Sequence, residues 1–155
     1  MFIGEHISKL DNKGRVIFPA PLKRQIPAEQ QQMSFVIKRD IYEKCLLLYT
    51  IKEWEHQTGL LKKRINPFNK NHAEFLREFY RGTAELYLDS NSRLLIPKRL
   101  LEYVDADKDL TFAGQEGKIE IWAKETYEKN QPNNEDFAKL ANDILGGDFV
   151  FFNED

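Results

Sequence analysis

Two arginines, Arg15 and Arg93, each stand four residues after an aspartate, Asp11 and Asp89, at the head of a short apolar run that ends in proline. A guanidinium presents a planar fork of N–H donors that fits the O6 and N7 acceptors of guanine and fits phosphate equally well. An arginine held at a turn can therefore specify a base or position a backbone. The aspartates have another task, because a carboxylate facing phosphate is repelled. Beside a turn it caps backbone N–H groups or orients the arginine that follows. Lys13 adds a positive charge within the first turn, and Gly14 gives that turn easy access to positive φ. Lys9, Lys23 and Arg24 extend a basic strip around it. The same residues also describe a plain surface turn closed by a local ion pair, an interaction worth little when exposed.

The two elements are copies of each other. Asp11-Asn12-Lys13-Gly14-Arg15-Val16-Ile17-Phe18-Pro19 is matched by Asp89-Ser90-Asn91-Ser92-Arg93-Leu94-Leu95-Ile96-Pro97, every position displaced by 78. Leu22 and Leu100 keep that displacement. After small length differences, Leu46-Leu47-Leu48-Tyr49 with Trp54 corresponds to Ile119-Glu120-Ile121-Trp122 with Tyr127. Recurrence of flanking elements in the same order marks a duplication. A chain of 155 residues is too short for two normal cores, so the copies must share one interior.

The elements that must position the arginines are mainly strands. Phe2 to Leu10 reads as a strand, Asp11 to Gly14 as a turn and Arg15 to Phe18 as a second strand, giving a hairpin or tight reversal. Pro19 stops that strand, Pro21 opens a short helix over Leu22 to Ile26, and Pro27 closes it. Further strands are expected near 34–38, 45–50, 85–88, 93–96, 109–113 and 118–122. Between the copies, Lys52 to Arg64 is an amphipathic helix, and Asn71 with Glu74 forms a capping pair for a helix through Tyr80. The expected organisation is a first repeat over 1–55, a helical connector over 56–82, a second repeat over 83–130 and a tail over 131–155. In the tail, Phe137, Leu140, Ala141, Ile144 and Leu145 form one apolar stripe on a helix capped by Asn134 and ended by Gly146-Gly147. Docking on its own body would cover that stripe, with a neighbouring subunit as the alternative cover. Phe149-Val150-Phe151-Phe152 also needs covering, since exposed apolar runs invite aggregation.

Composition narrows the function. Hydrophobic residues at 41% and charged residues at 31% are globular values. No run of eighteen apolar residues and no signal-peptide start occur, so a cytoplasmic protein without membrane association is expected. Cys45 stands alone in Cys-Leu-Leu-Leu-Tyr and reads as a core thiol. His6, His56 and His72 have no metal-ligand spacing, and neither G-x-S-x-G nor a phosphate loop is present. An enzyme, a cofactor, a metal site and a small-molecule substrate are therefore not expected. The net charge of −2 argues against nucleic acid at first sight, but its distribution weakens the objection. Residues 124–155 hold 3 basic and 8 acidic side chains, net −5, so residues 1–123 carry +3.

At the two D-x-x-x-R elements the chain resembles the MraZ family of bacterial transcriptional regulators, within the AbrB-like swapped-hairpin group. The resemblance takes in Met1-Phe2-Ile3-Gly4, Asp11 to Pro19, Leu46 to Glu55 with Trp54, Phe79 to Gly82, Asp89 to Pro97 and Ile119 to Trp122, roughly residues 1 to 130. It implies an α+β, mainly β fold in which two tandem swapped-hairpin repeats form a pseudo-two-fold β-barrel with flanking helices. It further implies a ring-like homo-oligomer. The partner is double-stranded DNA, bound at short direct repeats upstream of the division and cell-wall gene cluster that contains the family member's own gene. A nucleoid-associated location follows. The D-x-x-x-R elements face DNA in that family, which carries over to Asp11 with Arg15 and to Asp89 with Arg93. The second copy departs from the pattern, having Asn91-Ser92 where Lys-Gly is common, so it has lost a positive charge and a glycine. One subunit offers few phosphate contacts, so binding across successive repeats by several subunits is the expected source of affinity. A second reading makes the chain an antitoxin-like or protein-interaction module that uses its acidic C-terminal tail.

Overall fold

A computed structural model describes residues 1–146, and the Phe149 to Phe152 run lies outside the described residues. In chain order the elements are β1 (Phe2–Lys9), β2 (Arg15–Ile17), α1 (Ala20–Lys23), β3 (Phe35–Arg39), β4 (Leu46–Thr50), α2 (Ile51–Lys62), α3 (Lys70–Tyr80), β5 (Ala84–Leu86), β6 (Arg93–Leu95), α4 (Lys98–Tyr103), β7 (Asp109–Glu116), β8 (Lys118–Ala123), α5 (Lys124–Lys129) and α6 (Asn134–Leu145). Six strands form an antiparallel sheet in the order β1-β7-β8-β4-β3-β5, and β2 pairs with β6 in a separate ribbon.

That order carries the duplication. The first strand of each copy pairs with the third strand of the other, β1 with β7 and β5 with β3, while β4 meets β8 and β2 meets β6. Of the hairpin or tight reversal expected between β1 and β2, the tight reversal forms: the Asp11 N–H donates to the Arg15 carbonyl at 2.9 Å and a single bridge, Leu10 to Val16, joins the segments, while the ladders of β1 and β2 run to β7 and β6. Local alternation fixes which side chains face inward but does not name the partner strand, and pairing between copies satisfies the same alternation. The sheet keeps β1 and β5 as edges instead of closing into one barrel, and the ribbon lies over its inner face.

The interior is built from both copies. Val16, Phe18, Leu22 and Ile26 from the first copy, with their counterparts Leu94, Ile96, Leu100 and Val104, pack on Phe35, Ile37, Leu46, Leu48, Leu110, Phe112, Ile119 and Ile121 of the sheet. Phe18 sits at the centre, its ring 5.6 Å from Phe35 and 6.0 Å from Phe112. Cys45 is buried, as its apolar setting predicts, and burial pushes its thiol pKa up. On the other face of the sheet, Trp54 of α2 packs on Tyr49 at 5.6 Å, and Tyr127 of α5 packs on Trp122 at 5.7 Å. The duplication thus extends to the covering helices.

Three local expectations shift. The helix expected over 22–26 forms over Ala20–Lys23, with Pro21 in its first turn. α3 is capped by Asn69, whose side chain accepts from the Asn71 and His72 N–H groups, and not by Asn71. α6 is capped by Asn133 and not by Asn134, because the side-chain Oδ1 of Asn133 accepts from the Asp136 N–H at 2.8 Å. Among the described residues, the expected docking of the tail on its own body is not formed, and no residue of α6 is buried. Gln131-Pro132 interrupts the chain between α5 and α6, since proline disfavours helical geometry in the residue before it.

Candidate nucleic-acid interface

The ribbon is short and its register decides what it exposes. Arg15 lies opposite Leu95, Val16 opposite Leu94 and Ile17 opposite Arg93. Val16 and Leu94 enter the core, so alternation places Arg15, Ile17, Arg93 and Leu95 together on the other face. Ile17 and Leu95 are 56% and 57% exposed, unusual for aliphatic side chains in strands. Sequence reasoning named the arginines and missed these two. The available signal was the triplet pattern, since burying Val16 and Leu94 forces both neighbours outward.

Each arginine is fixed by its own aspartate in the same way. Asp11 Oδ1 accepts the backbone N–H groups of Lys13 at 2.9 Å and Arg15 at 2.8 Å, and Oδ2 accepts Arg15 Nε at 2.8 Å. Asp89 repeats this with Asn91, Arg93 and Arg93 Nε, each at 2.9 Å. Backbone bonds close both turns, Gly14 N–H to the Asp11 carbonyl at 3.1 Å and Ser92 N–H to the Asp89 carbonyl at 3.0 Å. With Nε committed, each guanidinium keeps its terminal Nη fork, which makes no bond among the described residues. The local ion pair is thus present in both turns. It orients the arginine and leaves the fork facing outward.

The departures in the second copy are accommodated. Gly14 has φ 84°, and Ser92 adopts the same left-handed region at φ 59°. Each turn is covered by the short helix of the other copy. Leu101 lies 3.4 Å from where a Gly14 Cβ would stand, and its counterpart Lys23 donates from Nζ to Ser92 Oγ at 2.7 Å. Lys23 therefore brings a cation to the turn that has Asn91 in place of lysine. Lys13 is exposed within the first turn, and Arg24 is exposed at the C-cap of α1. Lys9 is exposed but projects from the opposite face of β1 to Ser8, whose hydroxyl donates to the Ile17 carbonyl at 2.7 Å. The structure does not bring Lys9 to the ribbon face.

The turns carry a pH prediction. The Arg15 N–H bond chiefly, aided by the Arg15 side chain and the Lys13 N–H, holds the Asp11 carboxyl below its ordinary value, and the Arg93 N–H does the same for Asp89. A carboxyl with a depressed folded pKa adds stability that is present above its ordinary range and is lost as pH falls through the lowered value. Denaturant midpoints measured from neutral to strongly acid pH are expected to fall more steeply in the wild type than in Asp11→Asn/Asp89→Asn. Parallel curves for the two proteins would remove the aspartates from the account.

A family model described as "MraZ protein, putative antitoxin-like" matches residues 1–78 and again 79–146. A protein of Christiangramia forsetii named "Transcriptional regulator MraZ" is 38% identical over 150 residues, covering 94% of both chains. A protein of the same name from Flavobacterium psychrophilum is 38% identical over 145 residues, covering 93% of this chain and 91% of its own. One from Phocaeicola vulgatus, again of that name, is 37% identical over 145 residues, covering 94% of each. The matched length runs past Asn130, so α6 is part of what the chain shares with these relatives, contrary to the expectation that the tail lies outside the resemblance. Two matches in tandem divide the chain as the duplicated turns and the swapped strands do, and the chain belongs to the MraZ family.

Proposed function

We propose that this protein is a transcriptional regulator that reads double-stranded DNA with the β2–β6 ribbon. The observation that carries the reading is the single exposed ribbon face on which two aspartate-oriented guanidinium forks flank two exposed aliphatic side chains. A two-stranded ribbon fits the width of the major groove. There, arginine pairs with guanine O6 and N7, and an aliphatic group meets the thymine methyl. Arg15 and Arg93 are the base readers, with Asp11, Gly14 and Asp89 shaping their turns. Lys13 contacts phosphate, and Lys23, Arg24 and Lys9 extend the electrostatic footprint at greater distance.

One ribbon neutralises too few phosphates for tight binding, so the working form is a ring-like homo-oligomer on direct repeats, each subunit raising the effective concentration of the next. The sites lie upstream of the chain's own gene in the division and cell-wall cluster, and the protein acts in the cytoplasm at the nucleoid. The relatives' name, "Transcriptional regulator MraZ", supports this reading. Footprinting on the region before the gene is expected to give protected patches at one regular interval. Uniform coating of the fragment, or no protection, contradicts it.

A further inference from the structure

Two unpartnered helix faces remain after the ribbon is assigned. On α6, Phe137, Leu140, Ala141, Ile144 and Leu145 recur at helical spacing, and Phe137, Leu140 and Ile144 are 61%, 52% and 69% exposed. A stripe of this kind is stable only when something covers it. On α3, Ala73, Leu76, Arg77, Tyr80 and Arg81 line a shallow groove with the same i, i+3, i+4, i+7, i+8 spacing. The neighbouring side of α3 is occupied, since Phe79 stacks on Trp54 at 6.2 Å, while Tyr80 meets Trp54 edge-on at 6.0 Å and stays 41% exposed.

The net charges beside the two stripes are opposite, Lys139 lying between the two aspartates of α6 and leaving that edge acidic. Asp136 and Asp143 are seven residues apart, so both border Leu140 on one edge of α6. Arg77 and Arg81 border Tyr80 on α3. Among the described residues, Asp136, Asp143 and Arg77 make no ion pair, and Arg81 is held at 2.7 Å by Glu78 of its own helix. Both faces occur in every chain and neither is fully covered among the described residues, so a second copy supplies the complement to each.

We propose that α6 of one copy docks on the Ala73–Arg81 face of α3 in the next, its apolar stripe covering Leu76 and Tyr80, with Asp136 and Asp143 beside Arg77 and Arg81. The contact joins two different surfaces, so each copy gives one helix and receives one. Repetition of such a contact closes into a ring when the rotation permits. The inference rests on the multi-subunit part of the reading above and supplies its interface. α6 lies outside the core, so altering it leaves the fold intact.

The test is the mass of the full-length protein in solution without DNA, by light scattering after gel filtration. Wild type is expected as a multi-subunit particle, and Leu140→Asp/Ile144→Asp as a single chain with an unchanged circular dichroism spectrum. Arg77→Glu/Arg81→Glu and Asp136→Lys/Asp143→Lys are each expected to dissociate the particle, and the four changes together to restore it. A monomeric wild type, a Leu140→Asp/Ile144→Asp variant of full mass, or no restoration by the combined reversal overturns the proposal. Loss of DNA binding with the particle mass intact counts against the ribbon and leaves this interface standing.

Discussion

Replacing Arg15 by alanine is expected to weaken binding to the chain's own upstream DNA by at least about 1 to 3 kcal/mol, roughly 5- to 150-fold, the usual worth of a bidentate base contact. The loss has two parts. The guanidinium fork disappears, and Asp11, whose Oδ2 accepted Arg15 Nε at 2.8 Å, is left as an unpaired anion facing a polyanion. Arg93→Ala is expected to act in the same direction through Asp89. Arg15→Lys separates base reading from simple charge, because lysine keeps the positive charge but cannot present a fork. It is expected to retain affinity for scrambled DNA while losing preference for the native fragment. Anisotropy titrations at one moderate salt concentration measure both quantities. Unchanged affinity in Arg15→Ala, with the particle mass intact, contradicts the assignment.

Phe18→Ala is expected to destabilise the fold by about 3 to 5 kcal/mol, the range for truncating a buried phenylalanine. Phe18 is the residue by which the ribbon strand grips the sheet, and its ring touches Phe35 of one copy and Phe112 of the other. Its counterpart Ile96 is smaller and also buried, so Ile96→Val is expected to cost only about 0.5 to 1.5 kcal/mol. Urea unfolding with an unchanged slope against denaturant checks both values. A cost below about 1 kcal/mol for Phe18→Ala would mean that the ribbon is not anchored as described.

The parts of this molecule governed by local chemistry were legible in its sequence. The repeated D-x-x-x-R turns, the core setting of Cys45 and most strand positions follow from residue type and spacing. Partner choice was not legible. β1 obeys the same alternation whether it folds back on β2 or crosses to β7, so the swap appears only in the fold. Nor did sequence alone locate the caps of α3 and α6. Nearby asparagines compete in both places, Asn69 with Asn71 and Asn133 with Asn134, and the winner is the one whose side chain reaches an N–H two or three residues on. Ser92 replaces glycine yet keeps the left-handed turn, with Lys23 bound over it from the other copy, a compensation visible only once the copies are interleaved. The α6 stripe was legible as something to be covered, but its cover was not, since no face among the described residues receives it.

The most direct test is a salt series of full-length protein against its own upstream fragment and a scrambled one. The account predicts tighter binding to the native fragment, with the logarithm of affinity falling linearly against that of salt concentration by about 0.9 per phosphate neutralised. Absence of binding in dilute buffer, or equal affinity for both fragments at every salt concentration, would contradict it.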